Sequence, residues 1–230
     1  MVELRLAKAS DDTRLGRKFR KPIACRIVTW PVANECAAGN ARLGEANPAG
    51  GNAFAEAAIL GVEGRGLALA QSFVHQNRIR QAASSCGAAL YCIDESVKYA
   101  RERKPFGEEL ARNQAIQFPL VELATQAEML RLLIFKTAWE MDNMPHEQIE
   151  RTISDKVSMC NYWANRLVCE AADRAMQVHG GIGYSRHKPF EHIYRHHRRY
   201  RITEGSEEIQ MRKVGAYLFG YLGPKRGMYG

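Results

Sequence analysis

No Cys-x-x-Cys pair occurs in this sequence, and no histidine stands at zinc-finger spacing from any of its six cysteines, Cys25, Cys36, Cys86, Cys92, Cys160 and Cys169. That excludes the usual zinc modules and a disulfide framework; no metal site is expected, and the setting reads as reducing and intracellular. No apolar run reaches the length of a membrane span. The N-terminus carries Glu3 and lacks an apolar core segment, which excludes a secretory signal. Its arginines lean toward an organelle transit peptide, while Asp11 and Asp12 count against one. Cytoplasm, mitochondrion and peroxisome all stay open. Internal repeats are absent, and residues 1–60 lack any sustained period. That stretch mixes Gly, Ala, Asn and Pro with short apolar pieces, and one strand is expected at residues 27–32.

What is present is an ordinary globular composition. Hydrophobic content of 46% with 25% charged residues excludes wholesale disorder, and 230 residues suffice for one good core plus a smaller attachment, or two small domains. A formal charge of +8 makes the surface attractive to anions: nucleic acid, an acidic membrane face or a phosphorylated small molecule.

From about residue 61 the apolar residues fall into helical stripes. Ile79, Ala83, Cys86, Leu90, Ile93 and Val97 form the first, and Ile116, Leu120, Leu123, Ala127, Leu130, Ile134, Ala138 and Met141 the second. The third runs from Ile149 through Ile153, Val157, Cys160, Ala164, Leu167, Ala171 and Ala175 to Val178. "RKPFG", "DNMPH" and "HGGIG" break the stripes, the last with glycines able to take a left-handed cap. A fourth helix follows the "EGSEE" turn through Ile209, Val214 and Leu218. The expected fold is all-α, an up-down bundle of long helices over residues 61–222, behind an irregular leader (1–60) and before a short tail (223–230).

Four constellations carry chemistry. In "YARERKPFGEEL", Arg101, Arg103 and Lys104 precede a turn at Phe106; they read as a cation-capped helix end or as a pyrophosphate clamp with a ring beside it. In "NQAIQF", Gln114 is either a solvated helical amide or a partner for a heterocycle. "QVHGGIGY" lacks the strand-to-helix context of a dinucleotide fingerprint, so it is a tight turn where backbone can approach a ligand. "RITEGSEE" sets Glu204 on a corner before Gly205, and its Glu207 and Glu208 suit the first turn of a helix. Residues 186–201 are strongly basic, with six Lys or Arg, four His and one Glu, yet no nucleic-acid motif accompanies them and no nucleic-acid partner is expected.

In their order and spacing, "GVEGRGLALAQ", "YARERKPFGEELARNQAIQF", "MQVHGGIGY" and "YRITEGSEEIQMRKV" resemble the C-terminal helical domain of the acyl-CoA dehydrogenases, over roughly 160 of the 230 residues. The resemblance implies FAD-dependent α,β-dehydrogenation of an acyl-CoA thioester, in which a carboxylate removes the α-proton and the β-hydrogen leaves as hydride to flavin N5. It carries the base onto Glu204, with Gly205 turning the backbone sharply behind it. A minority of the family places the base at the position of Asn77, which cannot take a proton. Arg78 falls where the family has an arginine near the coenzyme A entrance, with Asn77 lining the same channel.

For FAD, the resemblance carries Arg103 and Phe106 onto the pyrophosphate and flavin environment, Gln114, Gln177 and Gly181 onto the adenosine half, and Ser206 and Glu208 onto the edge nearest the turn. The first group reaches the FAD of a neighbouring subunit, which implies a homo-oligomer, a dimer or tetramer. An electron-transfer flavoprotein or similar acceptor is implied as partner. Two departures stand out. "RHHR" replaces the family's Arg-Asp-Ala-Arg, with His196 at the aspartate, and residues 1–60 match neither the helical nor the β-domain that the family places first. The chain is therefore expected to be a truncated or spliced product, or a C-terminal fragment behind an unrelated leader. The alternative reading is a non-catalytic oligomerisation or nucleotide-binding fragment.

Overall fold

The structure, a computed structural model, describes residues 64–224; the leader, its expected strand at 27–32, Cys25, Cys36 and the end of the tail lie outside the described residues. Among the described residues every regular element is a helix: α1 (Gly66–Glu102), α2 (Gln114–Asp142), α3 (His146–Thr152), α4 (Ser154–His179), α5 (Gly181–Tyr184), α6 (Phe190–Arg198) and α7 (Glu207–Leu218). Short 3-10 turns occupy Pro105–Gly107, Leu110–Arg112 and Arg199–Arg201. The all-α bundle expected from the periodicity is the fold that forms.

Helix α4 is the axis, with α1, α2, α6 and α7 all packed on it. Arg78 and Ser85 of α1 meet Asn161 and Asn165, and Tyr99 stacks on His179, so α1 and α4 run parallel. Thr137 and Glu140 of α2 meet Cys160 and Lys156, so α2 runs antiparallel to both. Helices α6 and α7 descend α4 in succession: Phe190 lies at His179, Tyr200 at Asn165, Gln210 at Asn161 and Tyr217 at Ser154. The turn between α6 and α7 is thereby set midway down the bundle, opposite α1.

The second stripe is buried from Leu120 to Met141, with Ile116 half-buried, and the third is buried from Ile149 to Val178, as the spacing predicts. The first stripe is shifted. Ile79, Cys86 and Ile93 are buried as expected, but Ala83 and Val97 are exposed, and the buried face of α1 also runs through Ala82, Ser85, Ala89, Cys92, Ser96 and Ala100. Small residues take the seam because the two long helices approach closely enough for Asn161 Nδ2 to reach the Arg78 carbonyl at 2.9 Å. The third expected helix is broken at Ile153 (φ −134°, ψ 11°) into α3 and α4. Thr152 Oγ1 donates to the Gln148 carbonyl at 2.6 Å, a local bond that competes with helical propagation. At the other end Gly180 (φ 62°, ψ −141°) stops α4.

Cys86, Cys92, Cys160 and Cys169 are buried free thiols. Burial pushes Cys86 up to about 11 and Cys92 and Cys160 to about 12, so they act as small apolar side chains. Among the described residues no helix is long and apolar enough to cross a membrane, and no group of three or more His, Cys, Asp or Glu could hold a metal ion.

Candidate functional site

The α6–α7 connection places Glu204 on left-handed backbone (φ 59°), followed by Gly205 (φ 89°). For a residue with a side chain that conformation costs on the order of 1 kcal/mol or more, so the surroundings must impose it. Arg78, buried in α1, supplies the constraint. Its Nε and Nη2 donate to the Glu204 carbonyl at 3.0 and 2.7 Å, while Nη1 donates to Ser158 Oγ at 3.2 Å. Burial lowers the Arg78 guanidinium below its ordinary value, and the carboxylates of Glu150 and Glu204 oppose that shift. Gly205 is required twice, for its φ and because a Cβ there would stand 3.0 Å from Arg78 Nη2. The Glu204 carboxylate accepts from Asn77 Nδ2 at 2.9 Å.

A chain of buried amides supports the turn from beneath. Gln210 Nε2 donates to the Gly205 carbonyl at 2.7 Å and to Asn161 Oδ1 at 3.0 Å. Asn165 Nδ2 donates to the same Asn161 oxygen, and Ser85 Oγ donates to Asn165 Oδ1 at 2.7 Å. Since the Ser85 proton is committed there, His197 Nδ1, 3.0 Å from Ser85 Oγ, is the donor of its pair. Burial and the neighbouring His196 hold His197 down at about 4, keeping it neutral in this chain. None of these residues announces itself in the sequence: buried Asn and Gln on helices read as solvated.

Glu207 is a second residue whose role the sequence hides. It does open α7, but it is 8% exposed and grips two arginines. Arg201 contacts both carboxylate oxygens at 2.8 Å, and Arg166 of α4 does so at 3.1 and 3.2 Å. Those hydrogen bonds, Arg201 first, outweigh burial and hold Glu207 at about 2. On the other flank Glu150 lies 2.9 Å from His75 and pairs with Lys213; burial alone would raise its carboxyl, but these partners hold it at about 2.

Ser206 and Glu208 stand beside the turn, where the Glu208 backbone N–H and the Ser206 hydroxyl lower the exposed Glu208 carboxyl. Asn77, Arg78, Glu204, Gly205, Ser206 and Glu208 are therefore one cluster. Arg103, Phe106, Gln114, Gln177 and Gly181 lie apart from it toward the far end, where α1 and α4 end and α2 begins, with no hydrogen bond among them. All five are exposed, and the Phe106 ring stands free of the fold on left-handed backbone (φ 58°). Asn77 and Arg103 are 26 residues apart on α1, roughly 39 Å at about 1.5 Å per residue. Gly183, the last glycine of the "HGGIG" break, is sterically required: a Cβ would lie 2.7 Å from His179 Cβ. His196 packs edge-on to Tyr200, with its Nε2 3.2 Å from the Tyr200 hydroxyl.

Residues 64–219 match the family model for the acyl-CoA dehydrogenase C-terminal domain. The caffeyl-CoA reductase-Etf complex subunit CarC of Acetobacterium woodii is 33% identical over 159 residues, covering 69% of this chain and 40% of that protein. An acyl-CoA dehydrogenase of Bacillus subtilis is 34% identical over 165 residues, 72% of this chain and 42% of that protein. The solved complex of glutaryl-coenzyme A dehydrogenase with glutaryl-CoA superposes with a TM-score of 0.66 at 30% identity, covering 73% of this chain and 41% of the other. The chain thus spans about 40% of the length of the curated relatives it matches.

Proposed function

Because the chain belongs to the acyl-CoA dehydrogenase family through that family's C-terminal domain, we propose that it serves FAD-dependent α,β-dehydrogenation of an acyl-CoA thioester, with Glu204 as the α-proton base. One observation carries the reading: a carboxylate held on strained left-handed backbone by a buried arginine on its own carbonyl. Strain maintained in this way belongs to sites where a group must point in one direction. In the proposed step the α C–H bond breaks toward Glu204, the Cα–Cβ double bond forms, and the β-hydrogen leaves with its electron pair. Bound flavin would accept that hydride at N5. Arg78 would fix the turn that aims Glu204 at the thioester, and Gly205 lets that turn close on Arg78.

The donors at the far end fit such a cofactor chemically. Arg103 offers a cation to a pyrophosphate, Phe106 an unpacked ring to a flat heterocycle, and Gln114 and Gln177 free amides to an adenosine, with open backbone at Gly181. The roughly 39 Å along α1 between Asn77, which touches Glu204, and Arg103 supports assigning the two groups to FAD molecules of different subunits. A homo-oligomer also has a surface to use. On α2, opposite the buried stripe, Phe118, Val121, Met129, Leu132, Phe135 and Trp139 are each more than half exposed at helical spacing. That second stripe equally favours the other reading, an oligomerisation module that holds nucleotide without turnover. Residues 61–222 would be the working unit in either case, the buried unreactive thiols fit an intracellular setting, and an electron-transfer flavoprotein or similar acceptor would take the electrons.

The test is an FAD titration of the purified chain followed by flavin absorbance, then anaerobic addition of acyl-CoA. Stoichiometric binding with bleaching supports catalysis. Binding without bleaching by any acyl-CoA leaves the nucleotide-binding module, and no binding removes the cofactor assignment.

A further inference from the structure

We propose that Asn77 and Arg80 together form a positioning device for the Glu204 carboxylate, an inference that rests on Glu204 being the base. Arg78 is spent on the Glu204 carbonyl and Ser158. The carboxylate's hydrogen bond comes instead from Asn77 Nδ2 at 2.9 Å, across 127 residues of sequence. An asparagine amide can offer either a donor or an acceptor edge, and the acceptor edge toward a carboxylate would repel it. Arg80 decides between them: its Nη2 donates to Asn77 Oδ1 at 2.6 Å, which leaves the NH2 group facing Glu204. Backbone and side chain of Glu204 are thus held separately by neighbouring residues of one helical turn, Arg78 for the carbonyl and Asn77 for the carboxylate. Asparagine suits the task because it donates to a carboxylate without being able to take the proton itself. Arg80 is exposed, and its side chain's one hydrogen bond among the described residues goes to Asn77, through which it bears on Glu204.

The test is carboxyl footprinting of the full chain with carbodiimide and an amine, reading the labelling rate of Glu204 by tandem mass spectrometry and checking the fold by circular dichroism. Asn77→Leu keeps the volume and removes the donor. A charge-assisted hydrogen bond of this kind holds its group by roughly tenfold or more in population, so Glu204 should label roughly threefold to tenfold faster. Arg80→Met should move the rate in the same direction by less, and Asn77→Thr, which keeps a donor hydroxyl, should return it toward the native value. Equal Glu204 rates in native and Asn77→Leu chains, within about twofold, overturn the proposal. In the FAD-loaded protein, Asn77→Leu should lower the flavin-reduction rate about tenfold with KM held within about twofold. If native protein shows no flavin reduction, the base reading fails on its own, and the labelling rates still decide whether Asn77 holds the carboxylate.

Discussion

Replacing Glu207 by glutamine tests the account of how the Glu204 turn is fixed. Glu207 is held at about 2 against an ordinary 4.5 by Arg201 and Arg166. If the whole difference were stability, it would contribute roughly 3 kcal/mol at neutral pH. Solvent reaches the arginines, whose side chains are 27% and 33% exposed, and screening reduces the contribution to about 1–2 kcal/mol. The group's folded value lies below its unfolded one, so this stability is fully present above about pH 4.5 and is lost as pH falls through about 2. Thermal unfolding of native and Glu207→Gln chains, followed by circular dichroism from pH 7 to pH 2, should show the variant roughly 3–6 °C lower in Tm at pH 7. The two curves should converge toward pH 2. Equal Tm values at pH 7, or a gap that does not shrink on acidification, would refute the clamp as a charged pair.

Three further outcomes follow from the same geometry. Glu204→Gln should lower acyl-CoA-dependent flavin reduction by roughly two to four orders of magnitude while FAD titrates as in the native chain, and a loss below tenfold would remove Glu204 as base. Gly205→Ala places a methyl 3.0 Å from Arg78 Nη2 on backbone at φ 89°, so urea unfolding should show about 1–3 kcal/mol of destabilisation; an unchanged midpoint would mean the turn relaxes freely. Leu132→Glu with Phe135→Glu charges the exposed α2 stripe without touching the buried one. Sedimentation velocity should then show a smaller species than native at unchanged helicity, and an identical sedimentation coefficient would exclude this stripe as the subunit contact.

The long helices were legible in sequence because apolar side chains recurring every three or four residues have one way to be buried together, and on α2 and α4 the stripe from Leu120 to Met141 and that from Ile149 to Val178 are the buried faces. The Glu204–Gly205 corner was legible too, because a carboxylate before glycine at a helix start is a local pattern. Helix α6 was not: its buried residues are only Phe190 and His197, and its outward residues are mostly polar or basic, so no apolar stripe marks it. The seam of α1 was misjudged for a related reason. Periodicity weighs side chains by their hydrophobicity, whereas a close helix crossing selects them by size, and Ser85 and Ser96 are buried while Val97 is not.

Sequence by itself determined the long helices, the family resemblance and the position of the candidate base, since each rests on local patterns in the chain. Tertiary structure alone decided what holds that base. The bonds from Asn77 and Arg78 cross 127 and 126 residues, and Glu207 reaches Arg166 over 41. Such pairings depend on which helix faces meet, and a polar residue carries no mark of a partner that only packing brings within 3 Å.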